Sequence, residues 1–198
     1  SIRTPNALVY GESGRYPLFI NIYVRQIKYW ITLTRMSEDR IPRKCYWMLY
    51  NLHCRNKNNC VSNVCFTLYR YGFGFVWEQQ GVSNVRKFLV EFRQRLVDCY
   101  VQGWNHDTRT NKRYAFYSSL KQSHCLSEYL SQIHSGILRK YLTRLRLGVS
   151  PLRCHACRFY RSNGDAFDCP FCPGDHETEY HFMILCPKYR TLRKQFIH

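Results

Sequence analysis

Apolar residues recur with helical spacing along most of the chain. Ile20, Val24, Ile27 and Ile31 stand at i, i+4, i+7 and i+11, and Asn21, Arg25, Lys28, Thr32 and Arg35 fill the complementary stripe. The pattern predicts an amphipathic helix with a basic outer face. A turn over residues 11–17 leads into it, with Pro17 tolerated in the first helical turn. Residues 43–53 read as a second helix and 55–59 as a polar connection. Val61, Val64, Cys65 and Leu68 mark a third, which Gly72 and Gly74 stop. The longest stripe, Val85, Phe88, Leu89, Phe92, Leu96 and Cys99, predicts a helix over 83–102 with Ser83 as its N-cap. The polar run 105–112 has no period and reads as the main internal break. Segments at 114–120 and 127–133 precede a helix carrying Ile137, Leu138, Tyr141, Leu142 and Leu145, which ends at Gly148. Strand-like alternation is scarce, so the expected class is mostly α.

At 198 residues the chain suits one medium domain, or one domain with a small satellite. With 45% hydrophobic and 16% aromatic residues it has ample material for a core, which excludes wholesale disorder. No apolar run reaches the roughly 18 residues of a membrane span. The richest stretch, 16–36, is broken by Asn21, Arg25, Gln26 and Lys28. No membrane partner is expected.

Charge changes the picture more. Thirty Lys and Arg against thirteen Asp and Glu give a formal net charge of +17. Such a surface attracts polyanions, of which nucleic acid is the commonest. Solubility alone does not call for the excess, because acidic residues solubilise at least as well. The cations also cluster. No acid occurs between residues 129 and 164, where Arg139, Lys140, Arg144, Arg146, Arg153, Arg158 and Arg161 fall. Acids then crowd the loops that follow, and Lys188, Arg190, Arg193 and Lys194 restore the positive balance. These cations are the candidate residues for binding RNA or DNA. In the helix near 137–147, Leu138, Tyr141, Leu142 and Leu145 are expected to be buried, leaving Arg139, Arg146 and part of Arg144 outward. Phe159 and Tyr160 lie beside that stripe, where they can stack on unpaired bases.

Eleven cysteines raise the possibility of a secreted disulfide scaffold, but the odd count, the length and the lack of a signal peptide oppose it. An intracellular site, nucleus or cytoplasm, is expected. Cys45, Cys54, Cys65 and Cys99 fall in apolar periodic stretches, where free cysteine behaves as a small hydrophobe. The sequence opens on Ser1-Ile2 and reads as a piece of something longer, so a missing targeting signal carries little weight.

Near the C-terminus Cys169, Cys172, His181 and Cys186 form the string C-x2-C-x8-H-x4-C. Zinc takes four tetrahedral N/S donors, and a Cys-x2-Cys turn presents two thiolates to one ion. Thr178 can cap a short helix that carries His181 inward, and Cys186 closes it just before Pro187. Three cysteines and a histidine leave no open coordination position, so a single Zn²⁺ here is expected to be structural. The competing frame pairs Cys154 and Cys157 with Cys169 and Cys172 as an all-cysteine ribbon, leaving His181 and Cys186 idle. The whole chain then reads as a helical, bundle-like region followed by a small zinc-stapled CCHC knuckle. Its segments are a helical linker region (1–110), a basic helical segment (111–164) and the knuckle with a C-terminal helix (165–198).

Catalytic look-alikes fail on spacing. In His176-Glu177-Thr178-Glu179-Tyr180-His181 the histidines are five apart, not the four of HExxH. A zinc deaminase needs H-x-E before its P-C-x-x-C, and the order here is reversed. Neither a phosphate-binding G-x-x-x-x-G-K-[ST] loop nor a GxGxxG occurs, and the acids are too scattered for a carboxylate–metal centre. No enzyme is expected.

Cys169-Pro-x-Cys172, Glu177-Thr178, His181-Phe182, Cys186-Pro187-x-Tyr189 and Leu192-Arg193 resemble the C-terminal zinc knuckle of non-LTR (LINE-type) retrotransposon reverse transcriptases. Upstream, the run from Arg146 to Leu152 with His155 and Arg158-Phe159 resembles the segment just before that knuckle. Val9-Tyr10-Gly11-Glu12-x-Gly14-Arg15-Tyr16-Pro17-Leu18, Lys28-Tyr29-Trp30 and Gly74-Phe75-Val76-Trp77 with Gln80 and Val82 resemble the post-polymerase region of invertebrate elements. The resemblance implies that the CCHC quartet carries the metal and that Cys154 and Cys157 are incidental. It further implies a nucleic-acid-binding accessory region, without a catalytic centre of its own. That region would engage RNA or target DNA beside the polymerase part during target-primed reverse transcription. The alternative is a zinc-stabilised protein–protein interaction module.

Overall fold

Helices make up nearly all the regular structure in the computed structural model, which describes residues 4–156 and 167–196. In chain order they are α1 (Asn6–Ser13), α2 (Leu18–Arg35), α3 (Ile41–Cys54), α4 (Cys60–Arg70), α5 (Gly74–Glu78) and α6 (Val85–Thr110). Then come α7 (Ala115–Leu120), α8 (Tyr129–Gln132), α9 (Gly136–Arg146), α10 (Arg153–Ala156) and α11 (Arg190–Phe196). A two-stranded sheet, β1 (Asp168–Cys169) and β2 (Cys172–His176), lies between α10 and α11. The mostly α class holds. The chain forms two compact units, Tyr16–Gly103 and a second made of Ser1–Arg15 with Trp104–His198. Residues 4–15 thus group with the C-terminal part. The 164/165 boundary lies outside the described residues.

In the Tyr16–Gly103 unit, Ile20, Ile27, Trp30 and Ile31 of α2 turn inward as their spacing predicts, and Arg25, Lys28 and Arg35 stay exposed. They meet Tyr46 of α3, Leu68 of α4, Trp77 of α5 and Phe88, Phe92 and Leu96 of α6 in one core. Trp30 stacks on Trp77 with centroids 5.7 Å apart, and its Nε1 donates to the Tyr46 hydroxyl at 3.1 Å. Asn59 starts α4 with a reciprocal cap: its Oδ1 accepts from Val61 N at 2.8 Å, and Ser62 Oγ accepts from Asn59 N at 3.1 Å. Gly72 ends α4 as expected, but Gly74 opens α5. A Cβ there would stand 2.6 Å from the Tyr69 ring, so its glycine serves a close approach.

The N-cap of α6 is Asn84, whose Oδ1 accepts from Lys87 N at 3.0 Å, and not Ser83. Nor does α6 break at 105–112; it continues to Thr110. Trp104 and Thr108, four apart and both 2% exposed, bury one face of that polar run, and Thr108 Oγ1 donates to Trp104 O at 2.8 Å. Cys65 is buried, whereas Cys45, Cys54 and Cys99 are exposed, so only the first acts as a core hydrophobe. The α6 stripe passes through Val97 and Tyr100 instead of Cys99.

The other unit packs Leu8 of α1, Trp104, Tyr117 of α7 and Leu147 into a second core. Residues 11–13, expected as a turn, are helical. Gly11 permits this, since a Cβ would fall 2.4 Å from the Tyr117 hydroxyl and 2.7 Å from Trp104. The turn begins at Gly14, whose φ of 62° is left-handed. Contrary to expectation, α9 buries none of its residues: Leu138 and Tyr141 are 59% and 58% exposed.

Candidate metal centre

Cys169 and Cys172 sit on the β1–β2 hairpin, paired with each other across its turn. Gly174, within β2, takes a left-handed φ of 88°. Thr178 then caps the next helical turn as its position suggested: its Oγ1 accepts from His181 N at 3.0 Å. The following turn, His181–Leu185, is π-helical, closed by Cys186 N donating to His181 O at 2.7 Å. This wider turn matters for the spacing. In an α-helix, residues five apart point about 140° away from each other. An i to i+5 closure stacks them on one side. His181 and Cys186 therefore face the same point as the hairpin thiols.

The four donor atoms all lie within 4.8 Å of one another. Cys169 Sγ and Cys172 Sγ stand 3.9 Å and 3.8 Å from Cys186 Sγ. Tetrahedral zinc with Zn–S bonds of about 2.3 Å requires sulfurs about 3.8 Å apart, so the spacing fits an ion and not a disulfide. Cys169, His181 and Cys186 are buried and Cys172 is half-buried. Among the described residues, buried His181 Nε2 has no hydrogen-bond partner, while Nδ1 faces Asp175 Oδ2 at 4.0 Å. Leaving a buried ring nitrogen unpaired is costly, and a metal at Nε2 removes the cost. An outer carboxylate on the other nitrogen is the usual arrangement around a metal-bound histidine. Burial, and then the hydrogen bonds and charges of Cys186 and Cys169, push the Cys172 thiol up to about 12. Thiols so crowded hold their protons unless a cation balances them. The residues fit a zinc ion; when bound it would link hairpin and helical turn through a closed donor set and offer no open position for catalysis.

The competing ribbon gains no support. Cys154 groups with His155 and Glu179 and not with the quartet, and Cys157 lies outside the described residues. What sequence reasoning missed is the brace around the site. Ser150 N donates to His155 Nδ1 at 3.2 Å, so that nitrogen is the acceptor and Nε2–H faces Glu179 Oε1 at 2.5 Å. Glu177 Oε2 accepts from Arg153 N at 2.7 Å, at the start of α10. The two buried acids flanking Thr178 thus tie the 150–155 segment to the knuckle. An acid on each side of a cap residue, Glu177-Thr178-Glu179, was the available signal.

The cations divide into several groups. Lys140, Arg144, Arg190 and Lys194 are exposed. Arg139 is half-buried, with Nη1 donating to Leu130 O at 3.3 Å. Together with Lys140 and Arg144 it lines an open groove of about 750 Å³. Lys188 lies over the Phe171 ring at 5.1 Å. Arg153 Nη1 donates to Asp168 O at 2.9 Å, and Arg193 Nη2 to Cys186 O at 2.6 Å. Arg146, expected to point outward, instead makes a two-pronged pair with buried Glu12: Nε to Oε2 and Nη2 to Oε1, both 3.1 Å. Its charge is spent inside the fold. Arg158, Arg161, Phe159 and Tyr160 lie outside the described residues. Comparison of the chain with protein-family models, curated proteins and solved structures finds no match.

Proposed function

We propose that this chain is a zinc-stapled nucleic-acid-binding module, the accessory region of a LINE-type reverse transcriptase that its motifs resemble. The observation that carries the reading is the groove lined by Arg139, Lys140 and Arg144, three cations from one helix with no acid between them. In this reading the zinc centre is architectural. It holds the knuckle, and through Glu177 and Glu179 the knuckle holds the 150–155 segment that follows α9. Phosphate contacts then supply most of the affinity, which falls steeply with salt as bound counterions are released.

The test measures the salt dependence of nucleic-acid affinity for the wild type and for Arg139→Gln/Lys140→Gln/Arg144→Gln. The triple variant is expected to shrink the log–log slope by about 0.7 per lost contact on single strands or about 0.9 on duplex. An unchanged slope and affinity in the folded variant would remove this face from the interface. The protein–protein alternative rests on the exposed apolar side of α9.

A further inference from the structure

That apolar side is one wall of a second groove. Leu138, Tyr141, Leu142 and Leu145 of α9 face Phe182 and Tyr189 of the knuckle across an open space of about 620 Å³. The Phe182 and Tyr189 rings meet edge to face, 4.8 Å between centroids. Among the described residues the groove has one acid, Glu177, and it already has an oxygen engaged by Arg153 N. The apolar groove and the cationic groove share Ser150 and Pro151 in their linings. Arg144 follows Tyr141 by three residues, which makes the two neighbours on the helix surface, and both are exposed.

An apolar, aromatic cleft flanked by exposed cations matches a ligand that carries flat apolar faces on an anionic chain. A single-stranded nucleic acid is such a ligand; a duplex is not, because its base faces are stacked away. An apolar peptide would gain nothing from the cations, and a second copy of this chain would bring another +17 of formal charge against the first. We propose that this groove takes unstacked bases of a single strand, with Tyr141 as the stacking platform and Lys140 and Arg144 holding the flanking phosphates. The proposal rests on the nucleic-acid reading above and specifies its ligand.

The test uses the full chain loaded with zinc and a single strand of about 12 nucleotides carrying one 2-aminopurine, beside the same sequence as a duplex. Tyr141→Ala is expected to weaken single-strand affinity about tenfold, within the range typical of one lost base stack. It should also abolish the 2-aminopurine quenching and leave duplex affinity within about twofold. Tyr141→Phe should behave as wild type. Unchanged single-strand affinity and quenching in Tyr141→Ala, or an equal loss on the duplex, overturns the groove assignment while leaving the charge-based function standing. Wild-type protein that binds neither probe overturns both. Self-association that Tyr141→Ala abolishes, with single-strand affinity intact, makes the groove a self-docking surface and also overturns the proposal.

Discussion

Arg146 shows how one residue can be read correctly for charge and wrongly for place. It stands among cations in an acid-free stretch, yet its partner is Glu12, 134 positions away, and no local pattern announces a pairing at that distance. Removing one member of a buried ion pair leaves the other charge unpaired in the interior. Arg146→Met is therefore expected to destabilise the protein by about 3–5 kcal/mol, measured by urea unfolding, with much of the loss recovered in Glu12→Gln/Arg146→Met. The same cluster sets an alkaline limit. Burial foremost, with Glu12 adding to it, pushes the Tyr129 hydroxyl up to about 12, and burial also raises Tyr117. Unfolded tyrosine ionises near about 10, so above that pH the folded state keeps protons that the unfolded state has lost. The stability from these hydroxyls is full below about pH 10 and falls as pH rises towards 12. Tyr129→Phe should flatten that fall in a stability-versus-pH series; an identical decline would contradict the assignment. By contrast, the four candidate metal donors, which the fold brings together, were legible because their chemistry is local: spacing, cap and turn lie within eighteen residues.

At the scale of elements, the helices with a clean apolar period emerged where the spacing put them, as α2 and α4 show. The misses have physical causes. Polar letters hid the end of α6, since its inward face there is Trp104 and Thr108. In α1, Gly11 reads as a turn residue but serves close packing on Trp104 and Tyr117. The α9 stripe has textural periodicity without burial, because its partner wall in the knuckle stands across an open groove. Two glycines separate these roles by experiment. Gly103 lies within α6, where a Cβ would meet no atom of the described residues within 4 Å, so Gly103→Ala should stabilise by about 0.5–1 kcal/mol. Gly14 has a left-handed φ of 62°, and a Cβ would lie 2.4 Å from Leu126 N. Gly14→Ala should cost at least about 1 kcal/mol. Thermal unfolding of both variants reads the opposite signs; equal shifts would contradict the distinction.

For the molecule as a whole, the proposed reading gives the basic charge and the candidate metal centre different parts: charge would supply attraction, and a bound metal a rigid frame beside it. A hairpin and two short helical turns enclose too little apolar surface to hold alone. Chelation is thus expected to release residues 167–196 and the 150–155 segment braced on them, while the core around Trp30 and Trp77 stays folded. Hydrogen exchange with and without chelator reads this directly, and uniform protection in both would contradict it. The most direct measurement of the central claim is native mass spectrometry of the reduced protein with zinc. The account predicts one ion per chain in wild type and in Cys154→Ser/Cys157→Ser, and none in His181→Ala or Cys172→Ser. Zinc kept by His181→Ala but lost from Cys154→Ser/Cys157→Ser would contradict it and make the all-cysteine ribbon the metal site.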